Sequence, residues 1–159
     1  MKSHIVLVEP EIPQNTGNIA RSCAALGASL HLVEPLGFSL ESRYLRRAGL
    51  DYWPDVELTT YPNLEALFRR FEQERAFFVT TKGICPFSEV RYPEEAVFLF
   101  GKETAGLSES LLQRNRERTV RIPMRRGTRS LNLSNSAALI AYEHARQYGY
   151  EGLQKEADR

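Results

Sequence analysis

The side chains best able to do chemistry in this sequence are gathered in three short polar stretches. NTGNIAR carries Asn15, Asn18 and Arg21; FGKETAGLSESLL carries Gly101 and Glu103; RIPMRRGTRSLNLSNS carries Ser130 and Asn132 behind a run of arginines. Amides, hydroxyls and a carboxylate offer hydrogen bonds to a ligand, and arginine offers a planar fork for phosphate or carboxylate. In the third stretch Ser134 or Asn135 suffices to cap a helix, which leaves Ser130 and Asn132 free to face a ligand. Arg21 is expected one turn into a helix, where the positive end of the dipole disfavours a cation unless an anion compensates it. Taken singly, each stretch also fits an ordinary turn followed by a helix cap.

Each stretch follows a short apolar run, and these runs set the framework. HIVLV (4–8), SLHLV (29–33), DVELTTYP (55–62), AFFVTT (76–81), AVFLF (96–100) and TVRIPM (119–124) read as strands. The most continuous of them have the look of a parallel sheet covered on both faces. Helices are expected over 18–26 with Gly27 as the stop, 40–50, 63–74, 107–113 and 135–147. In the third of these, Leu64, Leu67, Phe68 and Phe71 face inward. Alternating strands and helices give an α/β class with a mostly parallel sheet and helices on both faces. No linker or repeat divides 1–159, so one domain is expected, with a polar, frayed tail from about 151.

Composition narrows the function. The chain has 159 residues, 42% hydrophobic and 26% charged, as in an ordinary soluble globular protein. No apolar run is long enough for a membrane helix, and the N-terminus has no signal-peptide pattern. Cys23 and Cys85 are expected as reduced thiols in the cytoplasm. The G-x-G-x-x-G, Walker-type and G-x-S-x-G loops are all absent, and His4, His31 and His144 are scattered without ligand spacing, so no metal site is expected. Net charge is only +1, yet seven arginines and a single acid, Glu117, lie between Arg114 and Arg129. Arg125, Arg126 and Arg129 there, and Arg43, Arg46 and Arg47 in RYLRR, are candidates for neutralising RNA phosphates.

In order and spacing, EPEIPQNTGNIAR, FLFGKETAGLSESLL and RIPMRRGTRSLNLSNSAALIAYE resemble the SPOUT class of RNA 2′-O-ribose methyltransferases over 8–150. LRRAGLDYW and FVTTKG look like the small tRNA (cytidine/uridine-34) 2′-O-methyltransferases within it. The resemblance implies a homodimer acting on tRNA, with S-adenosylmethionine held in a deep C-terminal trefoil knot. Against the general rarity of threaded chains, the knot rests on the resemblance alone. Carried over position by position, the cofactor site falls on Val79, Thr80, Gly101, Glu103, Ile122, Ser130, Leu131 and Asn132. The catalytic positions fall on Asn15, Arg21 and Tyr142.

The implied reaction is in-line attack of a ribose 2′-hydroxyl on a sulfonium methyl group, for which the protein mainly supplies alignment. Arginine stays protonated, so Arg21 is expected as a clamp on phosphate or ribose. Tyr142 is the alternative proton acceptor, or simply packing beside Ala138 and Ala145, and the base is left unassigned. Two rivals stand beside this reading: a non-catalytic RNA-binding protein, which has no reason to bind S-adenosylmethionine, and an enzyme for another tRNA or rRNA ribose.

Overall fold

The computed structural model describes residues 1–40 and 55–157. Arg43, Arg46, Arg47 and most of the expected helix over 40–50 lie outside the described residues. Within them the strands are β1 (Lys2–Val8), β2 (Ser29–Val33), β3 (Leu58–Tyr61), β4 (Ala76–Val79), β5 (Cys85–Pro86), β6 (Glu95–Phe100) and β7 (Thr119–Arg121). The helices are α1 (Pro13–Leu26), α2 (Leu64–Arg70), α3 (Glu109–Arg114) and α4 (Leu133–Gln147).

The strands form one sheet in the order β3-β2-β1-β6-β4-β7-β5, and every ladder is parallel. Side-chain alternation splits the core into two layers. On one face Ile5, Leu7, Leu30, Leu32 and Phe98 pack against Ile19 and Cys23 of α1 and Ile140 and Ala141 of α4. On the other, Val6, Val33, Phe78 and Leu99 pack against Leu67 of α2 and Leu111 of α3. Covering both faces explains the continuous apolar runs, each fully buried Leu or Phe contributing about 1.5–3 kcal/mol.

Several boundaries differ from the expectation, each for a local reason. Helix α1 starts at Pro13 rather than at 18, because proline at the first position has the right φ and needs no N–H partner. It ends where expected, on Gly27 at φ 64°. Helix α2 stops at Arg70 and not at 74; Phe71 turns extended and is buried against the sheet. The tail does not fray at 151: the backbone turns through Gly149 and Gly152, and Leu153 packs on the core.

A buried polar chain crosses the β3-β2-β1-β6 half of the sheet. His4 Nε2 faces the Glu95 carboxylate at 3.2 Å, which only accepts, so this nitrogen donates. His4 Nδ1 then accepts from His31 Nε2 at 3.0 Å, and His31 Nδ1 accepts from the Tyr61 hydroxyl at 3.3 Å. Arg70 Nη1 donates to the same hydroxyl at 3.3 Å, so every bond runs from the cation toward the carboxylate. Both imidazoles are neutral in this arrangement. Burial pushes the His31 pKa from 6.5 to about 3, with His4 adding to the shift, and burial also lowers His4 and His144.

Because these folded-state values lie below 6.5, the unfolded chain takes up protons first as pH falls. Stability is complete above that value and declines below it, by up to about 1.4 kcal/mol per pH unit for each such histidine. Thermal unfolding followed from about pH 7.5 to about pH 5 should show a falling midpoint before the carboxylates titrate. A flat midpoint over that interval would contradict the assignment of neutral histidines.

Candidate active site

The carboxyl ends of neighbouring strands β1, β6, β4 and β7 bring the polar stretches together. Helix α1 has no side-chain cap of its own, since Ile12 at its N-cap offers no acceptor and its first turn holds no acid. The missing acceptor comes from the loop after β6. Glu103 Oε2 accepts from Glu11 N at 2.8 Å, and its Oε1 from Ile12 N at 3.2 Å and Asn15 Nδ2 at 3.0 Å. In return, Thr104 donates its N–H to the Glu11 carboxylate at 3.0 Å, and its hydroxyl donates there too.

Asn15 passes the connection to the third stretch. Its Oδ1 accepts from Asn132 Nδ2 at 3.0 Å, and Asn132 Oδ1 accepts from Ser134 N at 2.9 Å and from the Ser134 hydroxyl. Asn132 is therefore the N-cap of α4, which begins at Leu133 and not at 135. The expectation that Asn132 is surplus to the cap is corrected: it caps the helix with its oxygen and bridges to α1 with its nitrogen. An amide can do both, since it carries an acceptor and two donors. Glu103, Asn15 and Asn132 thus join all three stretches by direct hydrogen bonds.

Beside this junction is a cavity of about 280 Å³, close to the small end of the roughly 300–1,000 Å³ typical of ligand sites. It is lined by Val79, Thr80, Gly101, Glu103, Ile122, Ser130 and Leu131, so seven of the eight expected cofactor residues share one wall-to-wall space. Asn132 is outside that lining. Sequence reasoning missed Lys82, Lys102, Leu107 and Ser136, which line it too; FVTTKG and FGKE held the two lysines in plain view.

Gly101 is required by the loop itself. A Cβ there would sit 2.0 Å from the Gly106 carbonyl carbon and 2.1 Å from the Leu107 nitrogen. Glu9 holds a left-handed backbone at φ 52°, at a cost of about 1–2 kcal/mol, and its carboxylate receives Lys102 Nζ at 2.6 Å. That contact raises the Lys102 pKa. Lys82 is similarly tied to Glu109 on α3, whose carboxyl it holds below its ordinary range.

The three catalytic candidates are placed differently. Asn15 is buried in the junction. Arg21 is the ninth residue of α1 and exposed on its surface, so the argument from the positive end of the helix dipole is withdrawn. Tyr142 is 45% exposed on α4, on the same stripe as Leu139. Arg125, Arg126 and Arg129 are all exposed, but only Arg129 reaches the cavity.

Replacing Glu103 by Gln swaps one acceptor for an N–H₂ group that must oppose a donor. Glu103→Gln should lower stability by about 1–3 kcal/mol, read as a shifted urea midpoint with an unchanged slope. A midpoint equal to that of the parent would deny the junction its structural role.

Known proteins with the same features can now be compared. The model of the SpoU rRNA Methylase family matches residues 2–142. A tRNA (cytidine(34)-2′-O)-methyltransferase from Methylovorus glucosotrophus is 50% identical over 149 residues, covering 93% of this chain and 97% of that protein. A solved structure described as giving insights into the 2-OH methylation of C/U34 on tRNA superposes with a TM-score of 0.89 at 44% identity, covering 94% of this chain and 98% of the other. The SpoU methyltransferase AviRb from Streptomyces viridochromogenes, solved in complex with the cofactor AdoMet, gives 0.82 at 26% identity, covering 95% of this chain and 58% of that one. With the match running through all three polar stretches and the sheet that carries them, this chain belongs to the SpoU rRNA Methylase family.

Proposed function

We propose that this protein methylates the 2′-hydroxyl of the wobble nucleotide, cytidine or uridine 34, in tRNA with S-adenosylmethionine as donor. The observation that carries this reading is the junction of Glu103, Asn15 and Asn132 beside a cavity, in a chain about half identical to enzymes of that name. The cavity fits the cofactor chemically. Leu107, Ile122 and Leu131 offer apolar surface for a flat base, and Thr80, Ser130 and Ser136 offer hydroxyls. The tight Gly101 loop presents bare backbone.

Bound there, S-adenosylmethionine would supply a methyl group on a sulfonium, already a strong leaving group. The chain's own residues would then align the ribose. Asn15 is fixed by bonds on both sides of its amide, so it can hold an orientation without reorganising. Arg21 is proposed as the clamp on ribose or phosphate, now on the grounds of its motif position alone. Arg125 and Arg126, exposed on the loop before α4, would neutralise RNA phosphates. Tyr142, exposed on α4, is the candidate proton acceptor.

A homodimer and a knotted C-terminal half belong to the same proposal. Ile12, Leu131, Leu139 and Tyr142 are large apolar groups left exposed near α1 and α4, which a second copy would cover. The knot is supported by the close passage of the 80–83 turn over β7, where a Cβ on Gly83 would lie 2.4 Å from the Val120 backbone. A tRNA substrate would put the protein in the cytoplasm.

Arg21→Ala should leave S-adenosylmethionine affinity near the parent value and reduce single-turnover methyl transfer to tRNA by at least about 100-fold. Arg21→Lys should recover little, because an ammonium lacks the bidentate fork. Transfer at the parental rate would remove the clamp. For the dimer, Leu139→Asp puts a charge on the exposed α4 stripe and should halve the mass seen by light scattering at micromolar concentration. A parent protein already at the monomer mass would refute the dimer outright.

A further inference from the structure

Three cations line the cavity: Lys82, Lys102 and Arg129. Two of them are already neutralised. Lys82 Nζ lies on the Glu109 carboxylate, and Lys102 Nζ on Glu9 at 2.6 Å. The one carboxylate in the lining, Glu103, is taken up by two backbone N–H groups and Asn15. Arg129, by contrast, makes no hydrogen bond or ion pair among the described residues. Arg129 is therefore the one cation of the lining that no carboxylate holds among the described residues.

Its neighbourhood adds to that demand for an anion. Arg129 directly precedes Ser130 and Leu131, and the first turn of α4 brings Leu133 and Ser136 to the same space. Helix α4 is fifteen residues long and has no acid in its first turn, so its positive end is uncompensated by side-chain charge. Arg125 and Arg126 do not reach the cavity, which separates Arg129 from them despite the shared run.

We propose that Arg129 binds the α-carboxylate of the cofactor's methionine moiety, rather than an RNA phosphate. This rests on the cofactor reading of the cavity given above. S-adenosylmethionine carries one anionic group, that carboxylate, beside an ammonium and a sulfonium. An arginine on the cavity wall would repel both cationic groups unless the carboxylate stands next to it. The guanidinium can donate two parallel N–H bonds to a carboxylate, which would fix the methionine arm and so the direction of the methyl group. Arg129 is thus a positioning and specificity residue for a carboxylate-bearing cofactor.

The test compares S-adenosylmethionine with its decarboxylated analogue by calorimetry, on the parent protein, Arg129→Gln and Arg129→Lys, with tRNA affinity measured in parallel. The parent should prefer the carboxylate-bearing ligand by about tenfold or more. Arg129→Gln should lose that preference, binding S-adenosylmethionine about tenfold less tightly and the analogue as the parent does. Arg129→Lys should restore part of it. Equal weakening of both ligands, or unchanged binding of both with weakened tRNA affinity, would overturn the proposal. A parent protein that binds neither ligand would instead sink the cofactor reading on which it rests.

Discussion

Helix α1 takes the acceptor at its start from a carboxylate 91 residues away in the chain. Ile12 stands where an Asn or Ser would usually accept a hydrogen bond, and no acid follows in the first turn. Glu103 supplies the acceptor and the negative charge together. The start of α1 and the loop after β6 therefore order each other, and Asn15 and Asn132 extend the dependence to the cap of α4. None of the three polar stretches has a complete set of hydrogen bonds until the others are present.

This dependence explains why the site is at the strand ends. Strands β1 and β6 are neighbours in register, with Leu7 opposite Phe100, so their following loops leave the sheet side by side. Gly101 can then turn so sharply that no Cβ would fit against the Gly106 backbone. Parallel pairing of segments so distant in sequence is slow to assemble. A cavity built this way is held by hydrogen bonds between loops as well as by packing, which suits an enzyme that works by alignment.

The sheet and its two covered faces were legible from sequence, because apolar runs are local signals; the residues around the cavity were implied by the family resemblance. What failed was the assignment of polar side chains to partners. NTGN looked like a turn, and the helix was begun at 18; Pro13 was the available signal, a proline placed where a first helical residue belongs. Asn132 was counted as spare because a cap was sought in the serine and asparagine that follow. Its actual bonds reach 117 positions back along the chain, to Asn15. With α1 starting at Pro13, Arg21 lies more than two turns in, beyond the reach of the positive end of the dipole. Partners so far apart in sequence leave no periodicity to read.

The charges around the site sort into two zones with different physics. Around the cavity, Glu9, Glu11, Glu103 and Glu109 balance Lys82, Lys102 and backbone donors in specific pairs. Pairs of this kind act over a few ångströms, between groups already in contact. On the flank, Arg125 and Arg126 project from an exposed loop with no carboxylate bonded to them among the described residues. A polyanion meeting that flank releases counterions, so its binding falls steeply with salt. The molecule thereby separates the two jobs a transferase of this kind must do: hold a small charged cofactor by fitted contacts, and collect a large polyanion by field.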